Sequence, residues 1–285
     1  MTDAAIAILP YGYSLGTHLK DMSLDLLKWP LGRPKRAAGC VSDLGKNDHL
    51  IVFPKFSMHT KLRWGTRAKV SLMVVEPRLI HARHLQALRL SHHRFHRVFT
   101  HDAVTLARLP NARFLPAAST WVQDYAGLKI KKTDNVSLIA SARLDQEGHR
   151  LRHAIVDDVR AQGIDVDVMG RAYRPFDEKS EGLAPYRFSV VIENIRSSGY
   201  FTEKLIDALL CETIPIYWGA PDVADHFDPG GMIVCETHDQ IVNAVRGANA
   251  SRYDAMKPGL LRAKDQAVGL RDYQLLAAQS LRNET

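Results

Sequence analysis

The sequence predicts an α/β protein made of two halves facing each other across a cleft, with a last helix crossing back onto the first half. Short β-rich runs alternate with stretches of helical apolar spacing, the pattern of parallel sheets with crossover helices. The alternation occurs twice, on either side of the polar, aperiodic stretch "STWVQDYAGLKIKKTDN". A length of 285 residues, with 46% hydrophobic and 24% charged content, suits two modest domains with separate cores.

In the first half, "AIAIL", "LIVF" at 50–53, "KVSLMVV" at 69–75, "RVFT" at 97–100 and "ARFLP" at 112–116 read as strands, and "LIHARHLQALRLSHHRF" as a helix between two of them. The loss of periodicity around 120–135 puts the domain boundary at 128/129, giving domains 1–128 and 129–285. The second half repeats the grammar: a strand at 136–142, a helix over 149–162, the strand "DVDVMG", a loop rich in proline and charge, the strand "RFSVVIE", a helix over 202–211 and the strand "TIPIYW". A helical stretch over 254–282 is long enough to return to the first half. Ligands of such sheets sit beyond the carboxyl ends of the strands.

Cys40, Cys211 and Cys235 are odd in number and far apart, so neither a disulfide framework nor a cysteine metal knuckle is expected. No run of about 18 apolar residues is present, and "MTDAAIAILPYGYSLG" has no basic leader region. A cytoplasmic protein is the expectation. Net charge is +7, and residues 61–115 hold eleven Lys and Arg against Glu76 and Asp102. Nucleic acid, an acidic lipid surface or a phosphorylated substrate would each reward that field. No nucleic-acid-binding signature accompanies it, so no nucleic-acid partner is expected, whereas peripheral contact with an anionic inner membrane is compatible with it. His81, His84, His92, His93 and His96 have spacings that could share a helix face with a metal, but no acid or cysteine completes a set. They read as a basic surface, solvated or facing an acceptor, and no metal is expected.

The densest passage is "YRFSVVIENIRSSGYFTEKLIDALLCETIPIYWGAP", residues 186–221. Its apolar run reads as a strand buried on both faces, which delivers Glu193 and Asn194 to the carboxyl end. Thr202 is placed to cap a helix whose first turn holds Glu203 and Lys204. A lysine there opposes the helix dipole and costs stability unless an anion neutralises it. A bound phosphate or diphosphate is the anion this reading expects, with Gly219 allowing close backbone approach.

The passage resembles the donor-binding motif of the α1,3/4-fucosyltransferases, glycosyltransferase family 10. The similarity lies in Glu193-Asn194, a short turn, Tyr200, Thr202-Glu203-Lys204, then Pro215 and Gly219, at the family's intervals. It covers about residues 136–235. The resemblance implies a GT-B-like fold of two Rossmann-like domains, the first binding the acceptor and the second the nucleotide sugar. It also implies inversion at the anomeric carbon and a GDP-sugar donor, usually GDP-fucose, with no further cofactor. Glu193, Asn194, Tyr200, Glu203 and Lys204 would line the donor site, with Lys204 on the diphosphate and Glu203 on the ribose hydroxyls. An arginine in the helix after strand 136–142 corresponds to a family arginine, either Arg152 or Arg150. Its fork of donors would stabilise charge on the leaving nucleotide.

An inverting transfer needs a carboxylate to take the acceptor's proton. Glu76 ends an apolar strand before Pro77, in a setting similar to the family's Glu-Ser-Pro but lacking the serine. Arg78 and Arg83 would then flank a saccharide or glycolipid acceptor, such as a bacterial surface glycan or lipopolysaccharide. Two alternatives stand beside this reading: the same fold using another nucleotide sugar, and a non-catalytic basic module binding nucleic acid or lipid surfaces.

Overall fold

The structure, a computed structural model, describes residues 4–284. Met1, Thr2 and Asp3 lie outside the described residues, as does Thr285. Two compact units emerge: residues 1–116 with 273–285, and residues 117–272. The composition shift suggested a break at 128/129; contacts place it at 116/117. Asp207 shows why, since its Oδ1 accepts from Thr120 Oγ1 at 2.6 Å and from the Trp121 amide at 3.1 Å. These bonds hold the start of the polar stretch in the second unit.

The first unit is a parallel sheet of β1 (Ile6–Ile8), β2 (His49–Val52), β3 (Lys69–Val74), β4 (Val98–Thr100) and β5 (Ala112–Phe114), in that order. Helices α1 (Arg78–Ser91) and α2 (Ala103–Arg108) connect the later strands. The link from β1 to β2 is a run of short 3-10 turns. Strand alternation sends two sets of side chains to two cores. Ala7, Leu50, Val52, Leu72 and Val98 pack with Leu85 and Leu88 of α1 and with Leu19, Leu24 and Val41 of the turns. Ile6, Ile8, Ile51, Met73 and Phe99 form the other core.

The second unit is also all parallel. Its strands are β6 (Asp134–Ile139), β7 (Asp167–Met169), β8 (Tyr186–Ile192), β9 (Ile214–Trp218) and β10 (Ile233–Val234), in the order β7-β6-β8-β9-β10. Helices α3 (Glu147–Ala161) and α4 (Glu203–Leu210) follow β6 and β8, and α5 (His238–Arg246) and α6 (Ala250–Leu270) complete the unit. Helix α3 packs with α5 and α4 with α6. This is a doubly wound order whose direction reverses between β6 and β8, so the chain leaves a crevice at their carboxyl ends.

The stretch read as one helix over 254–282 is two. Helix α6 stops at Leu270, and α7 (Tyr273–Arg282) starts afresh as part of the first unit. Ala277, Ala278 and Leu281 are fully buried against Ile6, Ile8, Ile51, Met73 and Phe99. The crossing back is therefore a core contact of the first sheet. Leu281→Ala should destabilise that unit by about 3 kcal/mol, the cost of a buried leucine cavity. Urea unfolding followed by a probe in each unit checks it: the midpoint of the first unit drops and that of the second holds.

Candidate functional site

Strand β8 is buried along nearly its whole length and stops at Ile192; the Glu193 amide still donates to Trp218 O at 2.8 Å. The Glu193 side chain is fully buried. A buried carboxylate needs donors, and Thr202 supplies two: its amide reaches Oε1 at 2.8 Å and its hydroxyl reaches Oε2 at 2.7 Å. Thr202 is in turn the N-cap of α4, its Oγ1 accepting from the Lys204 amide at 3.3 Å. Glu193 thus anchors the strand end to the helix start.

Lys204, expected to need an external anion, has internal ones. Its Nζ lies 3.1 Å from Glu203 Oε1 and 3.5 Å from Glu193 Oε2, and it donates to Thr202 Oγ1 at 3.1 Å. Two carboxylates offset the cation's conflict with the helix dipole, so its position alone does not call for a phosphate. Burial pushes the Glu203 carboxyl up, but Lys204 and Lys179 outweigh that and hold it below its ordinary range.

Arg150 and Arg152 stand in different surroundings. Arg150 is exposed and donates to Leu144 O at 3.1 Å. Arg152 is buried; its Nε donates to Ile192 O at 3.0 Å, its Nη2 bonds the same carbonyl, and Nη2 donates to Asn194 Oδ1 at 3.1 Å. Burial lowers its affinity for its proton, while the fields of Glu193, Glu203 and Tyr200 act the other way. Helix α3 comes this close to β8 because Gly148 has no side chain: a Cβ there would sit 1.7 Å from Glu193 O. Gly219 is the counterpart at the end of β9, where a Cβ would sit 2.7 Å from Glu193 Cγ.

Arg152, Asn194, Glu203 and Lys204 share one cavity of about 260 Å³ at the carboxyl ends of β6 and β8, the reversal point of the sheet. Tyr200 is buried and does not line it. Glu193 sits behind the wall as a cap. The cavity also takes in Arg143, Lys179 and Trp121, which sequence reasoning missed. Lys179 Nζ lies 4.7 Å from the Trp121 ring centroid and 3.7 Å from Asp207 Oδ2. Both residues stand in charged or polar loops with no periodicity, so no sequence signal marked them. Four cations (Arg143, Arg152, Lys179, Lys204) face this cavity with one acid, Glu203. The balance suits a polyanion.

In the first unit, Glu76 is exposed just beyond the carboxyl end of β3. Arg78 is held in a two-pronged pair, Nε to Asp102 Oδ1 at 2.9 Å and Nη2 to Asp102 Oδ2 at 2.6 Å. Arg83 is exposed on α1. The solvated reading of the histidines fails for His81, which is buried, while His84 is half-buried; its Nδ1 lies 3.1 Å from the Nε2 of buried His59. Among the described residues, no group of three or more His, Cys, Asp or Glu is placed to hold a metal ion.

Residues 130–245 match the model of glycosyltransferase family 10 (fucosyltransferase), C-terminal part. Over that stretch the chain is similar to the C-terminal part of the fucosyltransferases. Alpha-(1,3)-fucosyltransferase FucT of Helicobacter pylori is 48% identical over 61 residues, 21% of this chain and 12% of that protein. An alpha-(1,4)-fucosyltransferase of Arabidopsis thaliana is 38% identical over 58 residues, 20% of this chain and 14% of that protein. The aligned segments are thus a small part of either relative. A crystal structure of an alpha1,3-fucosyltransferase with GDP-fucose superposes with a TM-score of 0.52 at 18% identity, covering 84% of this chain and 78% of that one. The chain therefore shares the fold of that enzyme, the GT-B fold expected from the resemblance.

Two outcomes follow. Gly148→Ala should push α3 from β8 and lower thermal stability well beyond the half kcal/mol or so of an ordinary surface change; a melting temperature equal to that of the parent chain contradicts the close approach. In the first unit, burial pushes His49, His59, His81 and His101 down to about 4. The unfolded chain binds these protons near pH 6.5 and the folded chain does not. Their contribution to stability is complete above about pH 6.5 and is lost as pH falls toward about 4. Melting curves across that window should show the midpoint of the first unit falling.

Proposed function

We propose that this chain transfers a fucosyl group from GDP-fucose to a hydroxyl of a saccharide acceptor, with inversion at the anomeric carbon. The observation that carries the reading is the cation-rich cavity at the reversal point of the second sheet, built from the family 10 motif residues. In this reading the diphosphate lies against Arg152 and Lys204, and Glu203 accepts from the ribose hydroxyls. The ammonium of Lys204 then exchanges part of its contact with Glu193 and Glu203 for phosphate oxygens. Charge-assisted donors at that point stabilise the nucleotide as it departs.

The transfer balances as a single displacement. The acceptor oxygen forms a bond to the anomeric carbon, the bond from that carbon to the β-phosphate oxygen breaks, and its electron pair leaves with GDP. The acceptor's proton passes to the carboxylate of Glu76, whose place at a strand end and exposure to solvent support the role of general base. The paired state of Arg78 favours Arg83 as the cation nearer an acceptor. No residue of this scheme calls for a metal ion, and the buried guanidinium and ammonium provide the positive charge. A glycolipid or surface glycan is the acceptor class that the basic first unit suits.

Calorimetry with GDP and UDP, followed by a transfer assay over a panel of nucleotide sugars, tests the reading. GDP should bind in preference to UDP, and Lys204→Ala should weaken GDP at least tenfold, by removing one charge-assisted contact. Because Lys204 also pairs with buried Glu193, the variant's melting temperature is measured alongside. Glu76→Gln should lower kcat by roughly a hundredfold or more while leaving GDP affinity as it was. Absence of GDP binding by the folded parent chain overturns the proposal; full activity in Glu76→Gln removes the base alone.

A further inference from the structure

Helix α1 carries its hydrophobic side chains on the wrong face as well as the right one. Leu85 and Leu88 are buried in the first core, yet Leu79 is 68% exposed and Leu90 is 85% exposed. Helical geometry breaks at His81, and beyond the break Arg83, Gln86 and Leu90 follow one another at i, i+3 and i+7 along the solvent face, with Leu79 exposed on the turn before it. From Arg83 to Leu90 the row spans about 10 Å at the helical rise. Arg78 and Arg89, with Val104 and Arg108 of α2, line a groove along one side of it; Phe56, 59% exposed, lines another along with Arg83 and His84. Gln86 lines both grooves, so the surface is continuous.

Its charge is of one sign. No Asp or Glu occurs from Pro77 to His101, and Asp102 is taken by Arg78. The nearby histidines add nothing at neutral pH, because burial lowers the affinity of His81 and His84 for protons. The charge therefore comes from arginines, whose guanidinium groups keep it at any working pH. Arginines interleaved with exposed leucine, isoleucine and phenylalanine are what an anionic bilayer rewards twice, through its surface potential and through burial of apolar side chains at the headgroup boundary. A phosphate backbone of nucleic acid rewards only the first. Solvent rewards neither, and leaves Leu79, Ile80 and Leu90 exposed at a cost.

We infer that the exposed face of α1 docks on an anionic lipid surface, lying in its plane, with Leu79, Leu90 and Phe56 entering the headgroup layer and Arg83, Arg89 and Arg108 on the lipid phosphates. Glu76 directly precedes α1, so docking brings the first unit's exposed carboxylate to the membrane surface, where the hydroxyls of a lipid-borne glycan stand. The docking itself requires no donor and can be tested apart from the transfer reaction.

Co-sedimentation of the whole chain with vesicles of phosphatidylcholine alone, and with about one-third phosphatidylglycerol, is the test. The parent chain should partition onto the anionic vesicles about tenfold more strongly, and lose most of that binding in high salt. Leu79→Ser with Leu90→Ser should weaken binding to anionic vesicles several-fold without changing its salt dependence. Arg89→Glu with Arg108→Glu should abolish the preference for anionic over neutral lipid. Melting curves of both double variants, with the transition of the first unit at the parent's temperature, report that they are folded. Equal binding to both vesicle types, no vesicle binding, a dimer in sedimentation that dissociates in the leucine variant, or an RNA oligomer displacing the vesicles through the same arginines would each overturn the inference.

Discussion

The fully buried carboxylate of Glu193 is the constraint around which the second unit's site is arranged. It stands where a buried strand ends, and burial there is tolerable only because three donors converge on it: the Thr202 amide, the Thr202 hydroxyl and the Lys204 ammonium. Each donor belongs to the first turn of α4 or its cap. The carboxylate therefore sets where α4 begins, how its N-terminus points, and where Lys204 can reach. Removing either partner alone leaves an uncompensated charge in the core, a larger penalty than the pair's own worth.

A second set of bonds ties α3 into the same place. Arg152 crosses from α3 to the carbonyl of Ile192 and the amide oxygen of Asn194, so three elements (β8, α3 and α4) meet within a few residues of Glu193. Close approach on both sides requires that Gly148 and Gly219 carry no Cβ. The reversal of strand order between β6 and β8 opens the crevice, and these contacts line it with positive charge. An anionic ligand meets groups already held in position, with little left to reorganise on binding.

The first unit uses charge differently. His49, His59, His81 and His101 are drawn into the interior, Arg78 is paired with Asp102, and Arg83 and Arg89 lie on the outside of the helix that also exposes Leu79 and Leu90. Its sheet depends on the last helix of the chain, whose Ala277, Ala278 and Leu281 cover one face. The C-terminal segment is thus a structural part of the unit in which the chain begins, and the apolar surface that α7 covers would otherwise face water.

The sequence by itself determined the alternation of strands and helices, the presence of two α/β units, the placement of Glu193 and Asn194 at a strand end, and Thr202 as a cap, because periodicity and capping are local properties. It also pointed to Lys204 as a cation in need of an anion. Only the tertiary structure decided which anion holds it, since Glu193 is eleven residues away in sequence and meets it through the turn between β8 and α4. The same holds for the burial of Arg152 and the exposure of Arg150, two positions apart on one helix, and for the placing of Lys179 and Trp121, which come from stretches with no pattern. The unit boundary at 116/117 and the membership of α7 were likewise beyond local reading. They rest on contacts such as Thr120 to Asp207 and Leu281 to Phe99's core, where residues far apart in the chain exclude water together.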